Sequence, residues 1–169
     1  MCPHHDQART ELLLPDHHAR LDRLLTEVIS AVATDDRPAL HDAWGAFEDA
    51  VLAHLAAEET YLLPGYAEDH PAEAAAIQGE HGEIRALLAD LGVSVDLKRF
   101  NRGTAGELAA RLRAHGARED ADLYPWAAQH HEPRWRRFLD AHLRRASFAS
   151  HSGGPEKNAD VKPGRPGAA

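Results

Sequence analysis

A single cysteine, Cys2, stands in 169 residues. One thiol cannot close an internal disulfide, so a disulfide scaffold and a Cys-type zinc site are both excluded. Aromatic residues are scarce at 6%, while Ala and Leu abound, a bias toward helix. No stretch reaches the roughly 18 apolar residues of a membrane span, and the N-terminal MCPHHDQART lacks the apolar core of a secretory signal. Positive charge is in deficit. Nineteen Lys and Arg against 27 Asp and Glu leave a formal charge of −8, which argues against general binding to nucleic acid or to anionic membranes. A soluble cytoplasmic protein is the expectation, with a length that favours one domain. What the chain has in excess is histidine, 13 in all.

Helical periodicity runs through most of the chain, and no strand-like alternation stands out. Pro15 suits the first turn of a helix and Asp16 its positive end, with Leu21, Leu24, Leu25, Val28, Ile29 and Val32 following at helical spacing. Asp36 can cap a second helix with Pro38 in its first turn, running to about Leu63, where Pro64-Gly65 should stop it. Asp69-His70-Pro71 starts a third helix, ending near Gly92. Asn101 to Gly103 reads as a loop, with Thr104 capping a fourth helix that Pro125 kinks or finishes. Pro133 opens a shorter fifth segment. The boundaries that follow are a tail over 1–13, a bundle over 14–130, a fifth helix over 131–149 and a disordered tail over 150–169, where almost nothing can be buried.

The two halves of the chain repeat. His18-Ala-Arg-Leu-Asp-Arg-Leu-Leu matches His81-Gly-Glu-Ile-Arg-Ala-Leu-Leu. His54-Leu-Ala-Ala-Glu58 matches His115-Gly-Ala-Arg-Glu119, and Pro64 and Pro125 follow at equal distances. A helix pair used twice closes naturally into an all-α, up-down-up-down four-helix bundle. Each helix points a histidine into its apolar stripe: Leu14, His18, Leu21, Leu25, Val28 and Val32 in the first, and Leu40, Trp44, Phe47, Val51, His54, Glu58 and Leu62 in the second. The third carries Ile77, His81, Ile84, Leu88 and Leu91, and the fourth Leu108, Leu112, His115, Glu119 and Leu123.

A buried carboxylate without a partner costs several kcal/mol. The stripes hold few lysines or arginines, so a metal cation is the natural counter-charge for Glu58 and Glu119. One core histidine is more often a packing residue than a ligand, and an isolated His-x-x-x-Glu is usually a surface pair. Four core-facing histidines at repeat-related positions, two with identically placed glutamates, are another matter. Four imidazoles and two carboxylates suit iron, manganese or zinc better than magnesium or calcium. Six side chains exceed one tetrahedral zinc. They fit two ions bridged by the glutamates, with solvent or an oxo group completing the shell.

The order His, His-x-x-x-Glu, His, His-x-x-x-Glu, with Leu-Leu-Pro at 62–64 and Leu-Tyr-Pro at 123–125, resembles the hemerythrin-like (HHE cation-binding) domains. The resemblance implies a bundle holding two iron ions, a non-haem di-iron centre that binds dioxygen or related small ligands such as peroxide or nitric oxide. His18, His54, His81 and His115 would be ligands, and Glu58 and Glu119 would bridge. Two positions depart from the oxygen carriers, which have His-x-x-x-His in the third helix and His-x-x-x-x-Asp in the fourth. Here Arg85 stands four after His81, and Asp120 satisfies the second spacing. Glu119 is preferred because it lies on the apolar stripe and matches Glu58. Asp120 and its counterpart Glu59 are then solvated or in contact with the ligands from outside.

With one histidine fewer, oxygen or redox sensing, storage and iron handling stand beside carriage. A di-iron enzyme acting on peroxide or nitric oxide, catalase-like or otherwise, is one alternative. A helical interaction module binding zinc or no metal is another. A ferritin-like oxidase is disfavoured, since no histidine has a glutamate three residues before it. Tyr61 and Tyr124 sit near the glutamates and could hydrogen-bond them, with packing of the bundle end the plainer account, and Asp22 is read as solvated or ion-paired. Cys2, His4 and His5 belong to the tail. His17, His41, His70, His130, His131, His142 and His151 are read as surface, and the basic run Arg134 to Arg145 as a cap on the bundle.

Overall fold

The computed structural model describes residues 15–130, 133–138 and 140. The proposed tails and most of the fifth helix, Leu14 of the first stripe, and His4, His5, His131, His142 and His151 lie outside them. The order is α1 (Pro15–Thr34), α2 (Arg37–Tyr61), α3 (Leu63–Asp69), α4 (Pro71–Asp96), α5 (Arg102–Arg118), a π-helical turn (Glu119–Leu123) and α6 (Tyr124–His130). Residues 133–138 are also helical, and no strand occurs among the described residues. No helix there is long and apolar enough to cross a membrane.

The turns are made by the residues the pattern marks out. α1 ends in a Schellman motif: Asp36 N–H donates to Ala31 and Asp35 N–H to Val32, with Asp35 left-handed at φ 52°. Asp36 then caps α2 by accepting from Ala39 N–H at 3.1 Å, and a proline follows in the first turn. The repeat-equivalent Lys98, φ 60°, closes α4 in the same way, through Arg99 N–H to Ser94 and Lys98 N–H to Val95.

Three boundaries differ from the expectation. Asn101, not Thr104, caps α5, accepting from the amides of Gly103 and Thr104. α4 runs past Gly92 to Asp96, because a helix tolerates glycine for about 1 kcal/mol when packing holds it. Pro64-Gly65 does not end helical structure. α2 closes at Tyr61, and the proline opens the seven-residue α3, where the missing amide costs nothing. Pro125 acts differently. The preceding turn widens to π geometry, Tyr124 N–H reaching back to Glu119, and the helix continues.

Paired residues set the directions. Trp44 near the start of α2 rests on Gly92 near the end of α4, while Glu59 near the end of α2 meets Arg85. Asp22 in α1 pairs with Arg113 in α5, and Glu83 and Glu80 in α4 pair with Arg111 and Arg118. Each helix is thus antiparallel to its neighbours in the ring α1-α2-α4-α5, the up-down-up-down bundle the repeat calls for.

Two apolar clusters fill it. One contains Leu21, Leu25, Val28, Phe47, Val51, Leu55, Ile84, Leu88, Leu91 and Leu108. The other gathers Leu62, Leu63, Tyr66, Ile77, Leu123, Tyr124 and Trp126, and is covered by Trp135 and Phe138 from the segment 133–138. That part of the expected fifth helix therefore docks on its own bundle.

Two stability tests follow. Phe47 is fully buried, so Phe47→Ala should cost about 3–5 kcal/mol, read as a lower denaturant midpoint. Lys98→Gly relieves a left-handed side chain and should stabilise by about 1 kcal/mol; a lower midpoint would contradict that account of the turn.

Candidate metal centre

Between the two clusters the core turns polar. His54, Glu58, His81, His115 and Glu119 are all at most 2% exposed, and the His18 side chain is 20% exposed at the edge. All six residues singled out in the sequence meet here. The i, i+4 step puts His54 and Glu58 on one face of α2, and His115 and Glu119 on one face running from α5 into the π turn. α1 and α4 contribute the other two histidines.

The atoms fall into two groups. Glu119 Oε2 lies 3.3 Å from His18 Nε2 and 3.7 Å from His54 Nε2, and Glu58 Oε1 lies 3.6 Å from His54 Nε2. On the other side, Glu58 Oε2 lies 3.4 Å from His81 Nε2 and 4.0 Å from His115 Nε2. Glu119 Oε1 is 3.8 Å and 2.9 Å from the same two nitrogens. Each glutamate offers one oxygen to each pair of histidines. Neighbouring ligands at bonds of about 2.1 Å sit about 3–3.5 Å apart on one cation, so both groups approach coordination spacing. One donor atom each from His54, Glu58, His115 and Glu119 already lies within 4.8 Å of the others.

The second group needs something to bind. His81 Nε2, His115 Nε2, Glu58 Oε2 and Glu119 Oε1 are buried with no hydrogen-bond partner among the described residues. Such atoms cost about 1–3 kcal/mol each, more when charged. Two imidazole nitrogens and two carboxylate oxygens converge here, a donor set that fits a divalent cation once the imidazoles give up their inward protons.

Outer contacts orient the imidazoles. His81 Nδ1 lies 2.9 Å from Glu59 Oε1, and Arg85 grips the same carboxylate with two bonds of 2.7 and 2.9 Å. His115 Nδ1 lies 3.0 Å from Glu80 Oε2, and Arg118 holds the other oxygen at 2.9 Å. His18 Nδ1 lies 3.5 Å from the half-exposed Asp120. Glu59 and Asp120 thus take matching places beside His81 and His18, outside the central six. Arg85 faces Glu59, leaving the centre with four histidines.

Tyr124 does more than pack. Its hydroxyl donates to Glu58 Oε1 in a short contact and lies 3.3 Å from Glu119 Oε2, while its ring stacks on His18. Its repeat counterpart is Leu63, so the repeat could not flag it. The signal was its place after a glutamate and before Pro125, where the π turn swings it inward. Tyr61 is half-buried beside the second apolar cluster. Asp22 is ion-paired with Arg113 at 3.2 Å. His41, 75% exposed, and His70 and His130 lie on the surface. Gly116 passes under the His18 ring, where an added Cβ would come within 3.0 Å of Nδ1. Beside this ring a cavity of about 200 Å³ opens between α1 and α5, lined by His18, Leu21, His54, Leu112, His115 and Asp120 among others.

Protons and a cation compete for these atoms. Burial and the neighbouring Glu119 push Glu58 up to about 8. Burial also works to raise Glu119, but contacts from His115, His18, His54 and His81 outweigh it and hold Glu119 well below the usual range. Burial opposes charge on His81, yet Glu119 and Glu58 lift it to about 10. Below these values protons occupy the donors, and a cation must displace them. Affinity for divalent manganese should therefore rise as pH increases from about 6 to 8, with proton release on binding. A pH-independent affinity would contradict this coupling.

A family model, the hemerythrin HHE cation-binding domain, matches residues 12–127. No curated protein and no solved structure gives a significant match. With the matched region covering more than half of the chain and all six of these side chains, the chain belongs to the hemerythrin HHE cation-binding family.

Proposed function

We propose that this chain is a non-haem di-iron protein that binds dioxygen or a related small ligand, in sensing, storage or iron handling. The observation that carries the reading is the division of the donors. Two carboxylates each give one oxygen to each of two histidine pairs, His18 with His54 and His81 with His115. Such a donor set would suit two cations, with Glu58 and Glu119 shared between them. Mixed imidazole and carboxylate donors favour iron, manganese or zinc over magnesium and calcium, and family membership supports iron.

When bound, an iron pair would supply reversible redox chemistry and a place for a small ligand. The protein's own groups do the rest. Glu58 and Glu119 hold the two positions together, and Tyr124 donates to Glu58 and steadies it. The apolar clusters flank the centre on either side and leave the cavity beside His18 as its opening. The cavity of about 200 Å³ beside His18 gives a small ligand room at the edge of the centre. A solvent-reaching cavity at the centre also supports the second reading, turnover of peroxide or nitric oxide.

Metal analysis should find about two irons per chain after production with iron available, and the oxidised protein should show near-ultraviolet charge-transfer bands. His81→Ala and Glu58→Ala should lose iron, while the surface change His41→Ala should not. Zinc alone in the wild-type protein, or equal iron retention in all three variants, would refute the reading. Steady peroxide consumption abolished by the first two changes would identify an enzyme. A colour change on deoxygenation that reverses in air would identify a binding protein.

A further inference from the structure

A glycine directly follows two of the four core histidines, Gly82 after His81 and Gly116 after His115. Both lie inside helices, α4 and α5, where glycine is destabilising relative to alanine because it has more backbone freedom to lose. Their surroundings differ. Gly82 is exposed, and a Cβ built on it meets nothing within 4 Å. Gly116 is buried, and a Cβ there would lie 3.0 Å from Nδ1 of His18 and 3.1 Å from both its Cε1 and its Cγ. Three ring atoms at nearly one distance put the face of the imidazole across the backbone of α5.

Non-bonded atoms of this kind settle about 3.5–4.0 Å apart, so the ring would have to move by a few tenths of an ångström to admit a side chain. It is held on several sides. Its Nε2 lies 3.3 Å from Glu119 Oε2 and its Nδ1 3.5 Å from Asp120. It stacks with Tyr124 at a centroid distance of 5.8 Å and meets the His54 ring edge-on at 5.2 Å. A shift away from α5 therefore disturbs the contacts that aim Nε2 at the centre. The repeat counterpart of Gly116 is Leu55, fully buried in the apolar core. At 116 that packing is given up, and the His18 ring and the cavity beside it take the space.

We propose that Gly116 is a positioning residue for His18: the missing side chain lets the imidazole lie across α5 with Nε2 directed at Glu119, and any larger residue at 116 moves it out of the donor set. This rests on the reading of the six residues as a metal centre and adds to it a residue that offers no donor of its own. Gly82, which also follows a core histidine, has no such role.

Ferrous iron titrated without oxygen into the whole metal-free chain against a competing chelator, with denaturation of the same metal-free samples, tests this. Gly82→Ala should keep wild-type affinity and raise the denaturant midpoint. Gly116→Ala should weaken iron binding by about 10- to 100-fold, the range for groups that orient metal ligands. Its helical content by circular dichroism should be unchanged, and its midpoint should not rise. Combination with His18→Ala separates positioning from a general packing defect. Once the ring is gone the added methyl has room, so Gly116→Ala in the His18→Ala background should raise the midpoint and weaken binding no further. Wild-type affinity in Gly116→Ala would overturn the inference, as would additive losses of affinity in the double variant. A wild-type chain that takes up no ferrous iron would instead overturn the reading of the centre itself.

Discussion

Two carboxylates, Glu58 and Glu119, lie fully buried in the middle of an apolar bundle, and most of the architecture answers to them. Removing a carboxylate from water costs several kcal/mol even after relaxation. Every helix of the four-membered ring therefore brings a polar group toward the same point: His18 from α1, His54 from α2, His81 from α4 and His115 from α5. The apolar residues divide into two clusters, one on each side of this polar layer. The bundle thus packs around its centre, and a cation balancing the carboxylates would lie within the core.

The internal repeat makes this economical, and its breaks are informative. The two hairpins close with the same motif at Asp35 and Lys98, and the residue after each buried glutamate reaches across to a histidine of the other half, Glu59 to His81 and Asp120 to His18. Symmetry fails after the glutamates. In the first half the helix stops at Tyr61 and restarts as α3. In the second it passes through a π turn that carries Tyr124 into the centre, where its counterpart is Leu63. Symmetry fails again around the histidines, since arginines pin the carboxylates beside His81 and His115 while Asp120 stands half in water. A duplicated scaffold has been given two chemically different sides.

This division fits a family defined by cation binding. Arg85, standing where an oxygen carrier has another histidine, holds Glu59 in place beside His81.

The sequence by itself determined the bundle, its direction reversals at Asp36 and Pro71, and the six side chains that converge. Helical periodicity and the repeat are local, additive signals, and a polar residue on an apolar stripe announces itself. The stripe also favoured Glu119 over Asp120; Glu119 is buried in the core and Asp120 is half-exposed. What only the tertiary structure decided were the contacts that depend on how helices face one another. Tyr124 reaches Glu58 through a π turn that no propensity marks. Glu80 is an ordinary surface glutamate until α5 brings His115 beside it. Gly116 is unremarkable until the His18 ring lies across it. Those contacts join residues distant in sequence, and their geometry is set by the packing of α1 on α5 and of α4 on both its neighbours, which a one-dimensional pattern does not encode.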